Sequence, residues 1–76
     1  MRKLTQKEFD KLLAIVDNEV RDNKYMRRGQ SLYNHLHDIN PELANSINNT
    51  ELDPFYVQSR IPTFLEFILE PQTTEE

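Results

Sequence analysis

"LTQKEFDKLLAIVDNEV", residues 4–20, carries both the start signal and the buried stripe of one helix, and its period decides the fold class. Thr5 and Glu8 have the Ser/Thr-x-x-Glu spacing of a capping box, in which each side chain accepts a backbone N–H at the helix start. Leu4 before the cap and Phe9 four positions into the helix have the spacing of a hydrophobic staple. Phe9, Leu12, Leu13, Val16 and Val20 then recur at helical intervals and form one apolar stripe. Ile15 falls about 120° from Phe9 and belongs to the flank of that stripe, partly exposed. The pattern predicts a helix from Thr5 to about Asp22 or Asn23.

The next period predicts a second helix from about Lys24 to Asp38. At about 100° per residue, Tyr25, Met26, Gly29, Leu32, Tyr33 and Leu36 share its apolar face, with Gly29 near the centre. Gly29 is the chain's one glycine. Glycine inside a helix costs about 0.5–1 kcal/mol relative to alanine, so its presence predicts close approach of another helix or an aromatic ring. Gln30, Asn34 and His37 form a polar ridge beside this face and are the best candidate site for a partner. The two histidines do not suggest a metal site, because His35 and His37 point about 200° apart on a regular helix. Helical zinc motifs instead pair histidines four apart. No cofactor is implied. His37 is expected to hydrogen-bond at the core edge, with His35 on the surface.

"DINPELANSINN", residues 38–49, predicts a short third helix with Asn40 as N-cap, Pro41 at the first helical position and Leu43, Ala44 and Ile47 buried. Asn48 and Asn49 tolerate left-handed backbone and should end it. "IPTFLEFILE", residues 61–70, predicts the last helix, with Ile61, Phe64, Leu65 and Ile68 inward and Phe67 and Leu69 half covered at the flanks. Between them, "TELDPFYVQSRIP" has two prolines and no helical or strand period. It reads as an ordered structural corner built on Asp53, Pro54, Phe55 and Arg60. Asp53 would cap a single turn at Pro54-Phe55-Tyr56, Leu52 and Phe55 would enter the core, Ser59 would cap the last helix, and Asp53 would pair with Arg60.

These elements amount to an all-α, single-domain bundle of about four helices over residues 1–70, followed by a disordered acidic tail at 71–76. With 76 residues there is room for one small core. With no cysteine, neither disulfides nor thiolate zinc can support it. No apolar run is long enough to cross a membrane and the N-terminus lacks a secretory pattern, so a cytoplasmic protein is expected. Residues 1–28 hold eight Lys/Arg and five acids, whereas residues 29–76 hold Arg60 and eight acids. The net charge of -4 is therefore an acidic excess in the second part of the chain.

Residues 27–68, "RRGQSLYNHLHDINPELANSINNTELDPFYVQSRIPTFLEFI", have an Arg-x-Gly-Gln…Asn start, a Pro-x-Leu-Ala step and a Thr-x-x-Asp-Pro-Phe-Tyr…Arg-x-Pro finish. This pattern resembles a group of short proteins of bacteria and their phages. The resemblance implies a compact helical structure and a phage or prophage origin, and it transfers no catalytic residues. The first 24 residues lie outside it and are a candidate for variation with partner.

The leading functional expectation is a non-enzymatic protein-interaction module, in its concrete form a phage regulator that binds a host protein. Ile15, Gln30, Asn34, His37, Phe67 and Leu69 are its candidate contacts, with homodimerisation as a further use of the same apolar flanks. The alternative is a nucleic-acid-binding regulator using Lys24, Arg27 and Arg28, against which the acidic total weighs. An enzyme using His37 with Asp38 or Asn34 rests on residue types alone.

Overall fold

The computed structural model describes residues 2–71, so the expected tail beyond Pro71 lies outside the described residues. Helices α1 (Gln6–Asp22), α2 (Arg28–Ile39), α3 (Pro41–Ile47) and α4 (Ile61–Ile68) follow in order, with a 3-10 turn at Gln58–Arg60 leading into α4. Among the described residues there are four α-helices and no ladder of strands, and no helix is long and apolar enough to cross a membrane.

The start of α1 is built as its sequence predicts. The Glu8 N–H donates to Thr5 Oγ1 at 3.2 Å and the Thr5 N–H donates to Glu8 Oε1 at 3.0 Å. Arg2 adds two guanidinium contacts to the same carboxylate, at 2.7 and 3.3 Å. The Thr5 N–H foremost, with Arg2 beside it, holds the Glu8 carboxyl below its ordinary value. Leu4 does more than staple. It is fully buried, its N–H donates to the Ile68 carbonyl at 2.8 Å, and its own carbonyl accepts the Glu70 N–H at 2.7 Å. The entry to α1 is thereby fastened to the exit of α4.

The core consists of Leu4, Leu12 and Val16, Leu32 and Leu36 of α2, Leu43, Ala44 and Ile47 of α3, and Phe64 and Ile68 of α4. Phe9, Leu13 and Val20 complete the α1 stripe but are only partly buried, as are Ile61 and Leu65 of α4. Ile15 is half-buried on the flank of the stripe. All three α3 positions expected inside are inside, Asn40 Oδ1 accepts the Leu43 N–H, and Asn49 takes a φ of 64° in the left-handed region. An asparagine tolerates that conformation where most side chains do not.

Helix α2 begins four residues later than its period predicts. Asn23 Oδ1 accepts the Tyr25 N–H at 3.0 Å and the Asn23 carbonyl accepts the Met26 N–H, so this asparagine folds the chain into a turn in place of helix. Tyr25 is consequently 83% exposed and no part of the apolar face, while Met26 is half-buried.

The corner is ordered, though its bonds differ from the expected ones. Pro54-Phe55-Tyr56 does not form a helical turn, and Ser59 lies inside the 3-10 turn, leaving α4 with no side-chain cap. Asp53 is 8% exposed, and its two oxygens accept the Asn49 N–H at 2.8 Å and the Phe55 N–H at 3.0 Å. Arg60 does not reach that carboxylate. Its Nη1 donates to the Thr50 and Asp53 backbone carbonyls at 3.1 and 3.4 Å. The loop's own backbone thus takes both side chains, because a tight turn leaves N–H and carbonyl groups that need partners more than two side chains need one another. Pro54 is buried and Leu52 packs against the core, but Phe55 stands outside the core in contact with other rings.

Candidate interaction face

Gly29 explains how the corner is seated. It is the second residue of α2, where a helix leaves its N–H unpaired, and that N–H donates to Gln58 Oε1 at 2.9 Å. A Cβ at Gly29 would stand 2.0 Å from the Pro54 carbonyl oxygen and 2.9 Å from Gln58 Nε2. The close approach that the glycine permits is therefore that of the corner's backbone, not of another helix or an aromatic ring.

One turn further along α2, the Tyr33 ring meets the Phe55 ring edge-on, with centroids 6.0 Å apart at 78°. Phe55 leads to Tyr56 at 4.7 Å, and Tyr33 leads back along the helix to His37 at 6.4 Å. Four rings thus run from the polar ridge of α2 onto the corner. Burial, and secondarily the Asp53 carboxylate, pushes the Tyr33 phenol above its ordinary value. Tyr56 at the far end is 74% exposed. By helical geometry Gln30, Asn34 and His37 line the solvent side of Tyr33, with Gln30 half-buried and the other two exposed.

The polar ridge and the structural corner, read separately in the sequence, meet in one continuous face. Gln30, Tyr33, Asn34, His37, Phe55 and Tyr56 carry no formal charge at pH 7 in a chain whose residues are 29% charged. Sequence reasoning found the ridge and, in Gly29, a contact point. It had no signal for what makes the contact, since Gly29 and Gln58 are 29 residues apart.

The histidines exchange their expected places. His35 is half-buried, with Nε2 2.9 Å from Glu19 Oε1, while His37 is exposed. The same Glu19 oxygen accepts the hydroxyl of fully buried Ser31 at 2.5 Å. Ser31 foremost, then His35, draws the Glu19 carboxyl below its ordinary value. This cluster ties α1 to α2. Ser31 is fully buried within it, and one Glu19 oxygen is shared between the hydroxyl and the imidazole. Ser31 was not recognised from sequence; a serine in the helix gives no period-based sign that it is buried. Among the described residues there is no group of three or more His, Cys, Asp or Glu that could hold a metal ion.

The remaining candidates do not converge on this face. Phe67 lies beneath Lys3, whose Nζ is 4.1 Å from the ring centroid, and Leu69 is bridged to Leu4. Ile15 is about 16 Å along α1 from Leu4, so these three do not form one patch. The basic cluster is dispersed: Lys24 lies in the interhelical turn over the Tyr25 ring, Arg27 is the N-cap of α2, and Arg28 bonds Asp17 at 2.7 Å. A hollow of about 230 Å³ lined by Arg2, Lys3, Glu70 and Pro71 has both cations engaged, Arg2 by Glu8 and Lys3 by Phe67.

The chain matches no protein-family model, and no significant match to it is found among curated proteins or solved structures.

Proposed function

We propose that the protein is a non-enzymatic protein-interaction module of the cytoplasm, a phage or prophage regulator that binds a host protein through the ridge-and-corner face. The observation that carries this reading is the union of exposed Tyr56 with Phe55, Tyr33 and the uncharged ridge on a supported surface. Interface cores are poor in charge and rich in tyrosine, because an aromatic ring buries much area while losing few rotamers. Asp53, Arg60 and Gln58 hold the corner so that the rings need not be ordered on binding. The resemblance of residues 27–68 to phage and prophage proteins makes a host protein the class of partner.

The nucleic-acid alternative receives less support, since Arg28 is already paired with Asp17 and Lys24 and Arg27 are not on one helix face. Affinity capture from host lysate tests the proposal with tagged wild type, Tyr56→Glu and Tyr25→Glu, each checked for helical circular dichroism. Both tyrosines are exposed, so both variants are expected to fold. Partners captured by wild type and Tyr25→Glu should be lost from Tyr56→Glu. Equal capture by all three would remove the face from consideration.

A further inference from the structure

We propose that Glu19, His35 and Asp38 form a proton-operated clamp between α1 and α2, which closes most firmly when the imidazole carries its second proton. His35 stands between two carboxylates. Its Nε2 is 2.9 Å from Glu19 Oε1 on α1, and its Nδ1 is 3.9 Å from Asp38 Oδ2, one turn further along α2. A neutral imidazole has one N–H and one lone pair. With the hydrogen on Nε2 it donates to Glu19 and turns the lone pair toward Asp38. With the hydrogen on Nδ1 the lone pair faces Glu19 at hydrogen-bond distance. Only the imidazolium, a donor at both nitrogens, suits both carboxylates.

Glu19 is fixed in place to receive that proton's charge. The buried Ser31 hydroxyl donates to the same oxygen and, ahead of His35, holds the carboxyl below its ordinary value, so it is ionised throughout the range in which imidazoles titrate. The neighbouring cations are already engaged. Arg28, on the same side of α2 about 10 Å before His35, bonds Asp17, and Arg21 of α1 bonds Asn18 and Asp22. Among the described residues no hydrogen bond or ion pair other than those to Glu19 and Asp38 reaches the imidazole. The His35 and Glu19 side chains keep 26% and 33% exposure, which lets solvent deliver the proton without unfolding. His37 points about 200° away, so the clamp lies behind the ridge and acts independently of any partner there. Because protonation favours the closed pair, stability rises as pH falls through the imidazole range near 6.5, and the gain is absent well above it.

Urea unfolding of the full chain at pH 8 and at pH 6 tests the clamp. The lower pH should raise the folding equilibrium constant of wild type about threefold more than that of His35→Gln, the size expected of a partly exposed ion pair. Asp38→Asn, at a side chain 77% exposed, should fold normally and lose part of the response. His37→Gln should keep all of it. An equal pH response in wild type and His35→Gln overturns the inference, as does a response that disappears with His37 or is undiminished in Asp38→Asn. Should His35→Gln fail to fold, the Asp38→Asn and His37→Gln responses decide by the same criteria.

Discussion

The start of α1 and the corner between α3 and α4 are both held by side chains that bond backbone, yet they are specified over different distances. The Thr5–Glu8 box closes within three residues, and its neighbour Arg2 reaches only six. The corner has local bonds of its own around Asp53, but its position on the molecule depends on Gln58 and Pro54 meeting Gly29. A locally closed motif can form wherever its few residues occur, whereas a docked corner exists only once α2 is in place to receive it.

The sharpest way to break this contrast is Gly29→Ala. Alanine has the better helix propensity by about 1 kcal/mol, and a free helix start would gain from it. Against the Pro54 carbonyl the added methyl should instead destabilise the fold by about 2 kcal/mol or more, as overpacking against backbone does. Denaturant unfolding followed by circular dichroism measures the difference, and a stabilised variant would mean that the corner does not rest on α2.

A smaller effect separates the corner's two polar side chains. Asp53→Ala leaves the Asn49 and Phe55 N–H groups without their acceptor and should cost about 1–3 kcal/mol. Arg60→Ala removes bonds to backbone carbonyls and should cost about 0.5–1.5 kcal/mol. Because Arg60 Nη1 bonds the carbonyl of Asp53 and the Asp53 carboxylate holds the same loop, the double variant should lose less than the sum of the singles by about 0.5 kcal/mol or more. Strictly additive losses would show that the two side chains hold the loop independently.

The smallest expected effect lies at α1. Glu8 has a lowered pKa in the fold, so its contribution is present in full above its ordinary value of 4.5 and is lost as pH falls through the folded value. Glu8→Gln should therefore narrow the stability difference between pH 6 and pH 3 relative to wild type, measured from denaturation midpoints. An unchanged difference would mean that the box does not hold the carboxylate in its charged form.

What could be read directly from the chain follows this division. Thr5 and Glu8 sufficed to place the α1 entry, and Asn40-Pro41 and Asn49 sufficed to bound α3, because capping and left-handed backbone are properties of neighbouring residues. Helical period likewise identified most of the core. It failed at Tyr25, where an asparagine side chain competed successfully for the backbone, and it misplaced the histidines because period alone does not say which flank a neighbouring helix covers.

By itself, then, the sequence determined helix type, approximate number and most inward faces, all consequences of interactions within a few residues. Tertiary structure alone decided that Glu19 would gather Ser31 and His35, that Leu4 would join the end of α4, and that Phe55 would lie against Tyr33 and not in the core. Those contacts depend on which faces meet after the chain has closed on itself. A one-dimensional pattern marks a surface as available for packing, but the partner that arrives there is set by the competition of all the helices for the same small core.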